Sequence, residues 1–518
     1  MYESISKLKL RTFSSLWTTV VGKEKQQQST TVIKADRDLF RRLIVVMEAG
    51  RDIHIDSVLK QELCHVPLAL ANTDGTLRAS NKSQLFPLLE KGDVSMTRIP
   101  VSDTPTCIIV DGMALIQAMG KPKDAKTFGD YAENFIAAIA KYFQRPCTRV
   151  DVVFDCYEEY SIKDAARKRR AGKNRGIKCE ISNKDLKLPE NWKSFIDVKE
   201  NKVSLSKFLK NELLKLAHNG TEELVVSGGH NGEAVSSKDG KMPHLCSLQE
   251  EADSRMILHA LEATVKGYDR IIINSSDTDV LLLLIVFHPL MSKEVWMKAG
   301  TSQYRRYIPV HKLECPDEIR DSLLAFHAIT GCDTTSQFAG ISKKSAWKVF
   351  CQVPNLLSQF GNDHIPNQQV LEKAEEFVCK LYNPSGNIKE IHQLRCSHFR
   401  MGKKNPENIP PTQDALHQHL LRAHYQAFLW KNANIANLDI PSPTTSGWHL
   451  KEGKLIPILM TKEPITAECV NIVTCACTSK GRLCQTTQCK CKKNALRCTS
   501  ACRCIDWCRN PNNEAESD

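Results

Sequence analysis

Four short apolar runs between residues 105 and 280 constrain the fold more than any other feature of the chain. They are Cys107–Val110, Val150–Phe154, Leu224–Val226 and Ile271–Ile273, and segments with helical spacing of apolar residues separate them. Strands that are almost entirely apolar are typical of parallel sheets whose two faces are both covered by helices. The alternation therefore predicts an α/β fold, with a three-layer parallel sheet and right-handed connections.

Acidic residues recur where these runs end and where predicted helices begin or end. They are Asp111, Asp155, Glu251, Asp253, Asp277, Asp279 and Asp333. The functional crevice of an open parallel sheet lies outside the carboxyl ends of its strands. Any one of these acids has a solvated loop position as its ordinary alternative, but their recurrence after successive strands favours a site. Converging carboxylates repel one another unless they are protonated or share a cation.

Hard oxygen ligands suit Mg²⁺ or Mn²⁺. Two such ions can stabilise both the attacking and the leaving oxygen of a phosphodiester. A basic stretch follows Asp155, since residues 163–178 hold eight Lys or Arg side chains against one acid, Asp164. Alone, such a run is more often a solvated helix face or a localisation signal. Beside an acidic crevice, it can hold a phosphate backbone and stabilise developing charge.

Five segments resemble, in order and approximate spacing, the flap-endonuclease branch of the PIN-like nucleases. They are VDGMALIQ, VVFDCYEEYSIKDAARKRRAG, QEEADSRMILHA, INSSDTDVLLLLI and HAITGCDTTSQFAGISKKSAWKVF. The resemblance covers about residues 105–352. It implies that the seven acids hold two divalent ions, and that Lys163 and one of Arg167 or Arg169 contact the scissile phosphate.

The same resemblance implies a helix–three-turn–helix over Phe338–Ala346 that grips the DNA backbone, with a helix N-terminus facing phosphate. The residues expected to contact nucleic acid in the nuclease region are Arg169, Arg170, Gly340, Ile341, Lys343 and Lys344.

Ten of the 21 cysteines fall between Cys469 and Cys508. Nine of them follow the spacing C-x-C-x6-C-x4-C-x-C-x6-C-x3-C-x-C-x3-C and are Cys475, Cys477, Cys484, Cys489, Cys491, Cys498, Cys502, Cys504 and Cys508. Three tetrahedral zinc ions need twelve bonds, which six terminal and three bridging sulfurs supply. The density favours Zn²⁺ over reduced thiols without metal.

This segment resembles the tesmin-type CXC domain, which is commonly a DNA-binding module of nuclear proteins. Residues 475–509 carry eight basic side chains against Asp506. We expect Lys490, Lys492 and Lys493 to contact the phosphate backbone, and base specificity stays open.

The remaining chain divides by composition. We expect a polar tail at 1–35, a helical N-terminal region at 36–100, the nuclease domain at 105–352, a helical extension and Pro-containing linker at 353–465, the CXC module at 469–510 and a tail at 511–518. A hydrophobic content of 42% excludes wholesale disorder, and the net charge of +12 favours a polyanionic partner. The N-terminus shows no secretion signal, so we expect an intracellular chain with reduced thiols.

Three functions fit these patterns. The first is a nuclear, divalent-metal-dependent and structure-selective DNA nuclease. The second is a catalytically silent DNA-binding or chromatin protein that uses the nuclease fold as a scaffold, and the third is a PIN-type ribonuclease. The pairing of such a core with a CXC module also resembles chains associated with mobile elements in animal genomes. Two histidine-containing groups, His417/His419/His424 and His392/Cys396/His398, are expected to be surface or core positions rather than ligands.

Overall fold

The computed structural model describes residues 58–90, 95–157, 161–163, 176–216, 222–229, 232–300, 305–401, 406–464, 475–477, 484–499, 502–504 and 508–511. The predicted functional residues Arg167, Arg169 and Arg170 lie outside these ranges, and so do most of the predicted N-terminal helices.

An eight-stranded sheet organises the chain from residue 106 to residue 309. Its strands are β1 (Thr106–Asp111), β2 (Cys147–Cys156), β3 (Glu223–Gly229), β4 (Ala234–Ser236), β5 (Gly240–Lys241), β6 (Arg270–Asn274), β7 (Glu294–Gly300) and β8 (Arg305–Pro309). Their spatial order is β5-β4-β3-β2-β1-β6-β7-β8. The five central strands pair in parallel, and the outer pairs at both edges are antiparallel. The predicted α/β class is confirmed, and the four apolar runs lie inside β1, β2, β3 and β6.

Helices connect and cover these strands. Up to the end of the sheet they are α1 (Phe86–Leu89), α2 (Gly112–Met119), α3 (Phe128–Ala140), α4 (Trp192–Ile196), α5 (Lys199–Leu216), α6 (Ala252–Val265) and α7 (Thr278–Phe287). After it come α8 (Asp317–Ile329), α9 (Lys343–Phe350), α10 (Gln368–Tyr382), α11 (Ile391–Met401), α12 (Gln413–Lys431) and α13 (Lys490–Lys493). A 3₁₀ turn, Lys82–Leu85, leads directly into α1, and a hairpin of β9 (Trp448–Lys451) and β10 (Lys454–Pro457) follows α12.

Two apolar layers sandwich the sheet. Ile109 and Val153 belong to the larger core, with α6 to α10 and α12, whereas their chain neighbours Val110 and Val152 belong to a second core with α3 and α5. Successive side chains of a strand point to opposite faces, so this alternation places helices on both sides of β1 and β2. The predicted three-layer arrangement is therefore present.

The described N-terminal segment is part of the larger core rather than a separate region. Leu85 is fully buried there and Phe86 nearly so. Two backbone hydrogen bonds join the segment to the loop before α9, from the Gln337 N–H to the Arg78 carbonyl (3.0 Å) and from the Ala339 N–H to the Ala69 carbonyl (2.8 Å). Between residues 59 and 90, only 82–89 are helical. The prediction of a mainly helical region is wrong for this part. Contacts with the rest of the core fix its conformation, and its pattern of apolar residues does not.

Helix α12 runs through the larger core and carries several buried polar residues. His419 is fully buried, and its Nε2 bonds to the Ile329 carbonyl at 2.8 Å. His424 Nδ1 accepts from the Gly361 N–H, and its Nε2 lies 2.7 Å from the Asp363 carbonyl. Both rings therefore serve the packing of the core, as expected. No helix among the described residues combines the length and apolar character needed to cross a bilayer.

Burial, with a smaller contribution from Arg422, lowers the pKa of His419 from its ordinary value to about 3. Below pH 6.5 His419 takes up a proton in the unfolded chain but stays neutral in the folded chain. The free energy of unfolding therefore decreases as pH falls from about 6.5 towards 3. His419→Gln keeps a donor for Ile329 and removes the titration. We expect the fall in free energy of unfolding between pH 6.5 and pH 5 to shrink by about 2 kcal/mol in this variant.

Urea titrations at the two pH values measure this difference. His417→Gln, an exposed position on the same helix, is the matched control and is expected to keep the wild-type slope. A His419→Gln slope equal to that of wild type would contradict the assignment.

Candidate metal centre and its surroundings

Three of the predicted acids reach one edge of the sheet because their strands are parallel neighbours. Asp111 is the last residue of β1, Asp155 lies one residue before the end of β2, and Asp277 follows β6 by three residues. In the sheet, β1 lies between β2 and β6. The carboxyl ends of the three strands therefore bring these side chains together, as the sequence predicted.

The other acids join the same cluster from helix starts and a loop. Ligand oxygens of Asp253, Asp277 and Asp279 all lie within 4.8 Å of one another. Burial and then Asp155 raise the pKa of Asp111 to about 7, and burial and then Asp277 raise the pKa of Asp253 well above its ordinary value. Such shifts are the signature of carboxylates that cannot all ionise without a cation.

Backbone N–H groups at three helix starts hold the carboxylates in place. Asp111 Oδ1 accepts from the Ala114 N–H in α2, and Asp277 Oδ1 accepts from the Asp279 N–H in α7, both at 2.9 Å. Asp155 Oδ1 accepts from the first N–H of α6 at 2.9 Å. Asp111 and Asp277 are the N-caps of α2 and α7, so the same residues that start these helices line the site.

Lys163 brings the first positive charge into the cluster. Its ammonium lies 2.8 Å from Glu251 Oε1, with only 13% of either side chain exposed. Burial alone would lower the pKa of Lys163, but Glu251 and Asp253 outweigh burial and raise it. The second oxygen of Glu251, Oε2, is buried without a hydrogen-bond partner among the described residues. Lys163 thus lies beside the acids, whereas its predicted partner in contacting phosphate, one of Arg167 or Arg169, lies outside the described residues.

A second ammonium comes from Lys82, which the sequence patterns did not single out. Its Nζ lies 2.6 Å from Asp277 Oδ1, 3.0 Å from Asp279 Oδ2 and 3.4 Å from Asp333 Oδ2. No local pattern could have marked this lysine, because the chain around it reads as a polar turn before an apolar stretch. It reaches the acids only through the docking of residues 69–89 on the core.

A buried relay links Asp279 to the start of α9. His327 Nε2 lies 2.9 Å from Asp279 Oδ1, and Lys343 Nζ donates to His327 Nδ1 and to the His327 carbonyl (both 2.9 Å) and to the Thr330 hydroxyl (2.7 Å). A donor at Nδ1 leaves the neutral imidazole with its proton on Nε2, where it donates to Asp279. Lys82 and this imidazole lower the pKa of Asp279 well below its ordinary value, against the opposing effect of burial.

The prediction that Lys343 contacts nucleic acid is therefore wrong, because its side chain is 1% exposed and fully engaged inside the protein. The adjacent predicted contacts differ in their surroundings. Gly340 is exposed with φ +72°, Lys344 is exposed, and Ile341 is half-buried against the larger core.

The loop between α8 and α9 carries Asp333 into the cluster. Gly331 begins the turn with φ +103°, and a Cβ there would lie 2.8 Å from the Gln337 backbone nitrogen. Only glycine adopts this conformation without strain. Ser342 caps α9 by accepting from the Ser345 N–H at 3.1 Å. Of the predicted helix–three-turn–helix over Phe338–Ala346, the residues from Lys343 onward form the start of α9, and Phe338–Ser342 belong to the loop between α8 and α9.

The donor set of the cluster fits a divalent cation. Its atoms are carboxylate oxygens, which Mg²⁺ and Mn²⁺ prefer. Among the described residues, the seven acids share two ammonium groups, those of Lys82 and Lys163, and the unpaired Oε2 of Glu251 is a buried acceptor of the kind that a cation satisfies. The residues present therefore match the ligand chemistry expected from the sequence.

The cysteine segment forms a second metal-binding group. Sγ atoms converge in three sets of four, and Cys475 belongs to all three. The Cys475–Cys504, Cys491–Cys502 and Cys475–Cys484 sulfur distances are 3.4, 3.6 and 3.9 Å. Ligand sulfurs around a tetrahedral zinc lie about 3.8 Å apart for Zn–S bonds of about 2.3 Å, whereas disulfide sulfurs lie at about 2.05 Å. The spacing is therefore that of metal ligands.

The predicted basic contacts of this segment lie at α13. Lys490 and Lys493 are exposed, and Lys492 is half-buried with its ammonium donating to the Gln485 carbonyl. Two of the three side chains are thus free to face solvent.

A buried serine, histidine and aspartate form a separate polar network. Ser227 Oγ lies 2.8 Å from His259 Nε2, and His259 Nδ1 lies 2.6 Å from Asp151 Oδ2. The order of contacts is that of a nucleophilic triad, but all three side chains are fully buried. Arg149 donates to Asp151 at 2.7 Å. A substrate has no access, so the network ties β2, β3 and α6 together.

The two lysines at the start of α9 provide a direct test of this placement. Lys343→Ala opens a cavity and leaves three acceptors without their donor, so we expect a loss of about 2–4 kcal/mol in the free energy of unfolding. Lys344→Ala is the matched control one residue later, and its exposed side chain predicts a change within about 0.5 kcal/mol. Equal urea midpoints for the two variants would place Lys343 at the surface.

No protein-family model and no curated protein matches the chain. Solved structures that resemble it include a bacteriophage T5 flap endonuclease in complex with DNA and metal ions, at 14% identity over 63% of this chain and 90% of that chain with a TM-score of 0.31. A T5 5′-exonuclease mutant matches at 13% identity over 64% and 90%, with a TM-score of 0.28.

The catalytic core of Rad2 in complex with a DNA substrate matches at 14% identity over 60% of this chain and 73% of that chain, with a TM-score of 0.29. The fold itself is established by the chain's own strand order: a mostly parallel α/β sheet with a separate cysteine cluster.

Proposed function

We propose that the chain is a divalent-metal-dependent nuclease that hydrolyses phosphodiester bonds of DNA. The observation that carries the proposal is the acidic cluster at the carboxyl edge of a parallel sheet, in which ligand oxygens of Asp253, Asp277 and Asp279 lie within 4.8 Å of one another and Lys163 pairs with Glu251. Hydrolysis needs a water molecule placed in line with the scissile bond and compensation for the charge that develops on phosphate oxygens.

The chain's own residues supply the positioning. The acidic cluster would hold Mg²⁺ or Mn²⁺, and the bound ions would neutralise the carboxylates and make the attacking water more acidic. The helix starts of α2, α6 and α7 orient the carboxylates. The ammonium of Lys163 can break its ion pair with Glu251 and bind a phosphate oxygen instead. This fits the contact with the scissile phosphate that the motif resemblance implies.

DNA is the favoured substrate because the resemblance names Phe338–Ala346 as a helix–three-turn–helix. Within that segment, Gly340 in the loop and Lys344 in the first turn of α9 are exposed. The cysteine segment supports the same class of partner: with zinc bound, its exposed Lys490 and Lys493 would contact a phosphate backbone. A nuclear location belongs to this proposal, through the resemblance of the segment to CXC modules.

The nuclease test uses zinc-loaded full chain with labelled flap, hairpin, duplex and single-stranded DNA, and with RNA, in Mg²⁺ or Mn²⁺. Asp253→Asn mimics the protonated carboxyl that burial favours, so we expect an unchanged or higher urea midpoint without metal but a loss of cleavage of about 100-fold or more. Asp185→Asn, an exposed acid, is the control with wild-type cleavage.

Preferred cleavage of RNA would favour the ribonuclease alternative. Nucleic-acid binding without any cleavage by wild type would leave a silent DNA-binding protein on this fold.

Zinc content tests the cysteine segment separately. We expect three zinc ions per chain by elemental analysis, because nine thiolates with three shared sulfurs satisfy three tetrahedral ions. Cys475→Ser removes a sulfur common to all three convergent groups and is expected to lose more than one ion. Cys351→Ser, an exposed cysteine outside the segment, is expected to keep all three. A wild-type content of one ion or none would contradict the cluster.

A further inference from the structure

Lys82 divides the acidic cluster into two halves. Its ammonium has three N–H donors, and three carboxylates surround it: Asp277, Asp279 and Asp333, at 2.6, 3.0 and 3.4 Å. The side chain is 19% exposed. On the other half lie Asp111 and Asp155, for which no contact with Lys82 is observed among the described residues, whereas Asp253 has a ligand oxygen within 4.8 Å of those of Asp277 and Asp279.

The lysine is built into the fold rather than inserted from a loose arm. Leu85 and Phe86, in the turn and helix that follow it, are buried in the larger core. Arg306 stacks over the Phe86 ring at 5.0 Å from its centroid and pairs with Glu90 at 3.2 Å. This packing fixes the backbone that carries Lys82 beside the acids.

The electrostatics of the two halves differ accordingly. Burial would lower the pKa of Lys82, but Asp279, Asp277 and Asp333 together raise it well above its ordinary value, so the ammonium stays charged. Asp279 in turn keeps a depressed pKa beside Lys82. On the other half the pKa of Asp111 is raised to about 7, chiefly by burial and by Asp155. Lys82 is thus the counter-charge of Asp277, Asp279 and Asp333, and Lys163 is that of Glu251 and Asp253. Among the described residues, no ammonium pairs with Asp111 or Asp155.

We propose that Lys82 takes the place of one of the two divalent ions expected at this centre, so that the chain binds a single ion, on the side of Asp111 and Asp155. The proposal rests on the acidic cluster being a divalent-metal site. The proposal sets the number of bound ions at one. It also means that the N-terminal segment supplies a positive charge to the acidic cluster through Lys82. The ammonium contributes one positive charge where an ion would contribute two, and it cannot dissociate from the chain.

Manganese binding tests the assignment without any substrate. Zinc-loaded full chain is titrated with Mn²⁺, and free Mn²⁺ is followed by its electron paramagnetic resonance signal. We expect one bound Mn²⁺ per chain for wild type and two for Lys82→Met, which keeps the length of the side chain and removes its charge. Lys82→Arg restores a positive charge and is expected to return the count to one. Lys312→Met is the control at an exposed lysine outside the acidic cluster and is expected to bind one.

The melting temperature, measured with and without Mn²⁺, provides a second test in case Lys82→Met folds poorly. Without Mn²⁺ this variant has three carboxylates that lost their counter-charge, so its melting temperature is expected to fall and to rise on Mn²⁺ addition by more than that of wild type. Two ions in wild type, or one ion in both wild type and Lys82→Met, would overturn the assignment and leave the metal site standing. No bound Mn²⁺ in any of the proteins would overturn the metal site as well.

Discussion

The mutual repulsion of acidic side chains at one edge of the sheet is the constraint on which the rest of the structure depends. Parallel strands deliver Asp111, Asp155 and Asp277 to the same edge, and helix starts and a loop add four more carboxyl groups. Backbone N–H groups at helix N-termini and the ammonium groups of Lys82 and Lys163 compensate part of this negative charge. Burial and mutual repulsion also raise the pKa values of Asp111 and Asp253, which favours their protonated forms. A bound divalent cation would neutralise the remaining charge and would also supply the Lewis acid that phosphodiester hydrolysis requires.

The surrounding elements are coupled to this edge through buried polar groups. The Lys343–His327–Asp279 relay connects the start of α9 with a carboxylate of the cluster, at a depth where every partner is fully enclosed. A buried polar chain of this kind fixes geometry because a half-satisfied network is costly. The element that we propose to face DNA and the carboxylates that we propose to hold metal are therefore parts of one rigid arrangement. The Ser227–His259–Asp151 network has the hydrogen-bond arrangement of a catalytic triad but no access to solvent. Burial therefore prevents it from reaching a substrate, whatever its hydrogen-bond geometry.

Much of the fold and of the site follows from local patterns. The runs at β1, β2, β3 and β6 are recognisable because a strand buried on both faces must be apolar throughout. The antiparallel edge strands β4, β5 and β8 escaped prediction, since short and partly exposed strands carry little periodicity and form by pairing with a neighbour. The seven acids were identified by their position after strands and at helix starts, and the nine cysteines by their density. Lys343 was misassigned because adjacent lysines in a sequence do not reveal which one points inward.

The sequence by itself indicated which carboxylates and which thiols make up the two metal-binding groups, because the acids directly follow apolar strands or lie at helix ends and the cysteines are closely spaced along the chain. Only the tertiary structure decided how the charge of the acidic group is balanced. Lys82 lies 195 residues from Asp277 along the chain and 2.6 Å from it in space. That proximity depends on Leu85 and Phe86 entering the core and on two backbone hydrogen bonds to the loop before α9. Contacts of this kind arise from packing between distant segments, and no local pattern of residues encodes them.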